Sequence, residues 1–567
     1  MTERQKAGEL RTLPDVLRDA AREAADVEAF VEPAVGGRAR RSLTFAEWDG
    51  ASDGVAGLFA VLGVGRGTVV SLWLPSSIDY MVCYAAAAKL GAVTSGVNPR
   101  LGGAEARSIL ERTQPVVTVV PDADNRPDGP VGAVVTVDDV RRAATGPAPT
   151  GWPVLDPSDP VVVAWTSGTT GVPKGAVFDH RNLFAVAAGT DSLSASGDRR
   201  LSPLPFAHVG TVTRTVDEAL KRVTTVITPT PWRAVDAIAV MEAERVTVAQ
   251  GVPTQWALVL DRPELEAADL SSLRVVGTGG ARVPEELVAA LRDRLGVPVV
   301  VRYTSTEASL GTGTRPDDAD AVVATTVGRP VAGVELRVVD DDGQVVATGE
   351  VGRVEVRSPA VMRGYWGGPL TGVGAAGVVF DERATAAVVR PGGWLAMGDF
   401  GALDAAGNLR LAGREHDRYL RGGYNVYPAE VEAALATLDG VAEAAVVGVP
   451  DPVLGEVGVA FVVMEDRSAP PPAPDDLLGS VRAGLAPLVA DYKVPDRVVA
   501  VGALPLTPMS KLDRQTLRRW AEDGPADGAR PAQAPAQAPA QAPAQAPRSA
   551  AEVPETAGRR PATTTRS

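Results

Sequence analysis

Residues 165–175 read Trp165-Thr166-Ser167-Gly168-Thr169-Thr170-Gly171-Val172-Pro173-Lys174-Gly175. An apolar run, 161–165, feeds a loop rich in hydroxyls and glycines that ends on a lysine. Glycine lets backbone approach a ligand closely and adopt positive φ. Successive N–H groups and hydroxyls can then surround a phosphate, and Lys174 adds positive charge. The order Gly-x-Pro-Lys-Gly differs from a Walker A loop, which ends in Gly-Lys-Ser/Thr.

Outward from this loop the chain alternates between strand and helix patterns. Short apolar runs at 68–74, 116–120, 134–137, 161–165, 224–227, 274–276 and 299–301 read as strands. Helical patterns lie between many of them. Thr44-Phe45-Ala46-Glu47 is a capping box that opens one helix, and another is expected over about 77–90. This alternation predicts parallel sheets with helices on both faces. From about 328 to 411 the pattern changes to short strands at 334–339, 351–356 and 409–411. They are separated by Gly/Asp turns, which predicts an antiparallel or barrel-like section. A smaller α/β unit is expected from 414 to about 520. The stretch 523–567 contains Pro-Ala-Gln repeats and no Ile, Leu, Met or aromatic residue. It cannot bury enough apolar surface to offset its ordering entropy and is expected to be a solvated, disordered tail.

Composition narrows the chemistry. The 567 residues carry 56 Lys+Arg and 70 Asp+Glu, a net charge of −14. That disfavours non-specific binding to nucleic acid or an anionic membrane. The single Cys83 excludes an intrachain disulfide and any Cys₄ or Cys₂His₂ zinc site. No apolar run reaches the ~20 residues of a membrane span, since Lys89 interrupts 80–97, the nearest candidate. The charged N-terminus shows no secretory signal. A cytoplasmic protein with no transmembrane segment is expected. The three histidines are His180, His208 and His416. His180 is read as local packing or capping.

Further motifs follow in order: Leu204-Pro205-Phe206-Ala207-His208-Val209-Gly210, Thr278-Gly279-Gly280-Ala281, Tyr303-Thr304-Ser305-Thr306-Glu307, and Trp394 through Gly398-Asp399. Gly413-Arg414-Glu415-His416-Asp417 then leads into Arg421-Gly422-Gly423-Tyr424-Asn425-Val426-Tyr427-Pro428-Ala429-Glu430. The last is Pro505-Leu506-Thr507-Pro508-Met509-Ser510-Lys511. With the 165–175 loop, this ordered set closely resembles the adenylate-forming superfamily, and within it the acyl-CoA synthetases. The resemblance spans about 13–520.

The resemblance implies a large N-terminal domain (1–413) of two αβ subdomains plus a small β-barrel. It also implies a smaller, mobile α+β C-terminal domain (414–522). Two half-reactions follow. A carboxylate attacks the α-phosphate of ATP, giving acyl-AMP and pyrophosphate; CoA then displaces AMP. Thr166, Ser167, Gly168, Thr169, Thr170, Gly171 and Lys174 would hold the phosphates. Gly279, Gly280 and Ala281 would form the adenine pocket, with Tyr303 stacked on the base. Asp399 would accept from the ribose hydroxyls beside Arg414. Glu307, with Thr170 or Thr169, would coordinate Mg²⁺, a hard ion suited to oxygen ligands. Thr306 would contact the α-phosphate, and Lys511 would bridge it to the substrate carboxylate. His208 would lie by the acyl pocket, His416 at the hinge, and Gly422 and Gly423 along the CoA tunnel. An apolar carboxylic acid, fatty, aryl or alicyclic, is the expected substrate.

Some positions depart from the family pattern. Val301, Arg302 and Thr304 stand where smaller or amide residues are usual, which bears on the acyl pocket. Arg282 replaces a common proline and Ser510 a glycine. A histidine at the hinge titrates near neutral pH, which would make domain alternation pH-sensitive. Two rival readings are an acyl-AMP ligase that loads a carrier protein and a catalytically silent binding protein. Oligomeric state is not legible in the sequence.

Overall fold

The computed structural model describes residues 11–99, 101, 103–166, 173–190, 193–281, 283–369, 378–421, 424–466, 474–507 and 512–523. Two large sheets carry the first 330 residues. The eight-stranded sheet has a parallel core of Pro160–Thr166, Val93–Gly96, Val69–Leu72, Val117–Val120 and Ala133–Thr136. The nine-stranded sheet has a parallel core of Val299–Tyr303, Val275–Gly279, Val248–Gly251, Arg199–Ser202, Thr224–Ile227 and Glu28–Glu32. Several of these strands, such as Val117–Val120, Thr224–Ile227 and Pro160–Thr166, are near-continuous apolar or β-branched runs, as burial on both faces requires.

The expected capping box at Thr44 is present. Thr44 Oγ1 accepts from the Glu47 N–H and the Glu47 carboxylate accepts from the Thr44 N–H. The strand expected over 134–137 stops one residue early, because Thr136 caps a helix, Val137–Ala143, in a second box with Asp139. The helix Ile78–Lys89 is buried along its whole length, so it is a core helix packed on every side. Its Lys89 side chain is fully buried and held by Asp49 and Asp53 at 2.6 Å each. The cation that broke the apolar run is thus paired inside the protein. Cys83 is buried in the same helix, and burial pushes its thiol well above the ordinary range, which leaves it unreactive.

The expected antiparallel section is a half-barrel of Glu335–Val339, Gly352–Arg357, Trp394–Leu403, Val389–Arg390 and Leu409–Arg414. Two strands inside that span, Gly364–Pro369 and its neighbour Val378–Phe380, belong elsewhere. Gly364–Pro369 pairs with Lys174–Asp179 and extends the eight-stranded sheet, tying the half-barrel to the phosphate-loop hairpin. Beyond Arg414 a separate five-stranded sheet is built on the long hairpin Val441–Asp451 and Gly455–Met464. The helices Pro428–Leu435, Pro474–Leu485 and Arg514–Asp523 accompany it. Among the described residues, no helix is long and apolar enough to cross a membrane. The tail from 524 onward lies outside the described residues.

His180 does cap a helix, but not its own. Asp179 caps the helix His180–Ala188, and His180 Nδ1 accepts from the Leu13 N–H at 3.0 Å, in the first turn of Leu13–Glu23. Sequence proximity had pointed to a local partner; packing of the N-terminal helix supplies a distant one. Burial lowers this histidine from 6.5 to about 4, against the nearby acids Asp159, Asp179, Asp15 and Asp156. Protonating Nδ1 would also break the cap. The folded-state pKa lies below the unfolded one, so the unfolded chain binds the proton first. The stabilisation is complete above about pH 6.5 and is lost as pH falls toward 4. It amounts to roughly 3 kcal/mol at full loss. Urea unfolding at pH 7 and pH 4.5 is expected to show a smaller pH difference in His180→Gln than in wild type. Parallel pH profiles would contradict this assignment.

Candidate active site

Thr166, Gly279 and Tyr303 each stand at the C-terminal end of a parallel strand, the usual ligand edge of open α/β sheets. Pro160–Thr166 and Lys174–Asp179 are antiparallel neighbours with Thr166 opposite Lys174. The candidate phosphate loop joins these two strands in sequence. Its residues Ser167, Gly168, Thr169, Thr170 and Gly171 lie outside the described residues. Lys174 Nζ stands 5.4 Å from the centre of the Tyr365 ring. The Tyr365 hydroxyl in turn donates to Glu307 Oε1 at 2.7 Å. The Glu307 carbonyl accepts from the Met362 N–H at 2.8 Å. The candidate metal ligand is thus fixed by its backbone and by one carboxylate oxygen. Thr306 beside it is half-buried.

A second cluster lies one strand end away. The Tyr303 hydroxyl donates to Asp399 Oδ2 at 2.7 Å, and Arg414 Nε lies 3.4 Å from Asp399 Oδ1. Asp399 and Arg414 are cross-strand partners in the half-barrel, so sheet register alone places them together. Burial raises the Asp399 pKa, while the Arg414 charge and the Tyr303 hydrogen bond oppose the rise. The Tyr303 ring is buried, and its hydroxyl anchor fixes the ring plane. Gly279 belongs here for a steric reason: a Cβ would come within 2.2 Å of the Arg302 carbonyl oxygen. Gly280 follows at φ +77°, a left-handed turn suited to glycine, and leads to Ala281. Arg282 lies outside the described residues.

His208 has a local role in this structure. It is the N-cap of the short helix Val209–Val212, with Nδ1 accepting from the Gly210 N–H at 3.1 Å. The preceding Ala207 packs against Gly96, where a Cβ would lie 2.9 Å from the Ala207 Cα. This contact brings the His208 segment onto the eight-stranded sheet.

His416 is exposed at the junction with the C-terminal unit, and its carbonyl accepts from Arg518 at 2.9 Å. Across the same junction the Phe400 and Tyr427 rings lie 5.2 Å apart. Lys511, Gly422 and Gly423 lie outside the described residues, but their flanks are ordered. The strands on either side of the two glycines pair with Arg421 opposite Tyr424. Leu506 bridges Leu512. Arg514 binds Glu432 through two nitrogens, at 2.7 and 3.0 Å, and Asp417 at 3.0 Å. The chain that carries Lys511 is therefore anchored immediately after it.

Tyr365 lies outside every sequence motif, and Arg514, at the end of the segment that begins at Pro505, carries no role legible in the sequence. Tyr365 shows only as one aromatic in a short strand, and nothing in its spacing relates it to Glu307. Among the described residues, no group of three His, Cys, Asp or Glu could hold a metal alone. A single fixed carboxylate fits Mg²⁺, which is usually bound through one or two carboxylates together with substrate phosphates.

The chain is similar to known proteins in sequence and in fold. The family profile of AMP-binding enzymes matches residues 17–366, and that of the AMP-binding enzyme C-terminal domain matches 430–511. A Mycobacterium tuberculosis CoA ligase for a methyl-dioxo-octahydroindenyl propanoyl group is 35% identical, covering 90% of this chain and 99% of its own. The indoleacetate–CoA ligase of Aromatoleum aromaticum is 34% identical, covering 84% and 93%. Among solved structures, ATP-bound MatB from Rhodopseudomonas palustris superposes with a TM-score of 0.79 at 26% identity, covering 91% of this chain and 100% of its own.

Proposed function

Because the chain belongs to the AMP-binding enzyme family, as an acid–thiol ligase using ATP, Mg²⁺ and CoA, we propose that it activates an apolar carboxylic acid, fatty, aryl or alicyclic, and passes the acyl group to CoA in the cytoplasm. The observation that carries this reading is the paired cluster at the strand ends: Glu307 held by Tyr365, and Asp399 held between Tyr303 and Arg414. One cluster suits a phosphate-bound cation and the other a ribose.

A carboxylate is a poor acyl electrophile, because oxide leaves badly. Adenylation replaces oxide with AMP. The difficulty is bringing an anion to a polyanion, so the protein's work is positioning and charge stabilisation. In our reading Lys174 and the 167–171 loop hold the phosphates. Glu307 ligates Mg²⁺, which offsets phosphate charge, with Thr170 or Thr169 beside it. Thr306 contacts the α-phosphate. Asp399 receives the ribose hydroxyls on its free lone pairs, with Arg414 beside it, and Gly279, Gly280 and Ala281 border the adenine. The domain division at 413/414, the hinge at His416 and the CoA path along Gly422 and Gly423 belong to the same proposal.

Product analysis tests the acceptor. With ATP, Mg²⁺ and an accepted acid, CoA is expected to give acyl-CoA plus AMP. A holo carrier protein is expected to remain unloaded. Loading of the carrier with no CoA thioester would instead support an acyl-AMP ligase.

A further inference from the structure

Arg214 is a cation inside a polar cluster, with no carboxylate partner among the described residues. It follows the helix Val209–Val212 and stands six residues beyond His208. It is half-buried, and one guanidinium nitrogen donates to Gln250 Oε1 at 3.1 Å. Gln250 lies at the C-terminal end of the strand Val248–Gly251, on the same edge as Gly279 and Tyr303.

The acids of this cluster are already engaged. Asp217 accepts from Thr190 and Ser194, and pairs with Lys221 at 2.9 Å and Arg200 at 3.4 Å. Glu218 pairs with Arg200 at 3.0 Å. Among the described residues, no carboxylate lies within ion-pair distance of Arg214. Its hydrogen bond goes to a neutral amide. Burial, with the positive charges of Arg200 and Arg302, depresses the Arg214 pKa to about 10, and Asp217 and Glu218 offset this only partly. Arg214 remains a cation at neutral pH, in surroundings that favour an added acceptor. The strand between Gln250 and Arg302 places Gly277 beside the first and Gly279 beside the second. No side chain of that strand stands between them.

We propose that Arg214, supported by Gln250, anchors an oxygen acceptor, a second carboxylate or a ketone, at the end of the acid remote from its reacting carboxylate. The substrate is then an apolar skeleton with one polar terminus. This rests on the ligase reading above and narrows its substrate class. Arg302, two strands or about 10 Å across the sheet from Gln250, adds positive potential on the same edge. A site that hydrogen-bonds such an oxygen also discriminates against the acid lacking it, because the guanidinium is then left without its acceptor.

The test is ATP–pyrophosphate exchange with three acids of one skeleton: cyclohexylpropanoic acid, its 4-oxo derivative and its 4-carboxy derivative. Wild type is expected to favour at least one oxygenated acid by about 10- to 100-fold in kcat/KM, chiefly through KM. Arg214→Met should bring that ratio close to one, and Arg214→Lys should retain part of it. The two oxygenated arms identify which acceptor is taken. A wild-type preference for the unsubstituted acid would overturn the proposal, with or without a folded variant. So would an Arg214→Met enzyme that slows all three acids by one factor. Failure to activate any acid, in a wider screen of fatty and aryl acids, would overturn the ligase reading beneath it.

Discussion

Lys511→Ala is expected to slow acyl-AMP formation by about 100- to 1,000-fold or more, while thioester formation from supplied acyl-AMP falls far less. The ammonium is assigned to a bridge between the substrate carboxylate and the α-phosphate, where two anions must approach. A unit charge 4 Å away contributes about 4 kcal/mol at an effective dielectric of about 20, which corresponds to about a thousandfold in rate. That contribution is made only while the acid attacks phosphorus. Once acyl-AMP exists, the thiol needs no such bridge. The described residues on either side are held: Leu506 bridges Leu512, and Arg514 pairs with Glu432 and Asp417. Separate assays of the two half-reactions decide the matter. Equal loss in both would contradict the assigned role.

Glu307→Gln should give the second large effect, a fall of about 100-fold or more in pyrophosphate exchange, partly recovered at high Mg²⁺. The amide keeps the shape and can still accept from Tyr365, but it lacks the charge that holds a divalent cation. Tyr365→Phe keeps the carboxylate and frees its orientation. It is expected to raise the Mg²⁺ concentration needed for half-maximal rate, with a smaller loss at saturation. Magnesium titrations of the three enzymes read this directly. A Glu307→Gln enzyme with the wild-type magnesium dependence would remove Glu307 from the metal site.

Much of the fold was legible because the relevant signals are local. Thr44 and Glu47 form their capping box within four residues, and 224–227 became a strand with those bounds. The change at about 328 from buried runs to Gly/Asp-punctuated strands marked the half-barrel. Pairings between distant segments were not legible. Gly364–Pro369 holds three glycines and a proline, poor strand formers, and nothing local shows that it leaves the half-barrel to join Lys174–Asp179. His180 likewise carries no sign of a partner at Leu13.

The candidate site divides along the same line. Spacing and residue type single out the 165–175 loop, Glu307, Asp399, Arg414 and Lys511 as candidates, because each motif presents its residues within a short stretch of chain. By itself, then, the sequence determined the family, the reaction class and the order of the motifs along the chain. Only the tertiary structure decided that Tyr365 orients Glu307, that Tyr303 binds Asp399, and that Arg214 donates to the neutral amide of Gln250. Those relations depend on which strands become neighbours and in what register. Neighbour choice comes from burying whole sheet faces, a property of the assembled chain that no short window of residues contains.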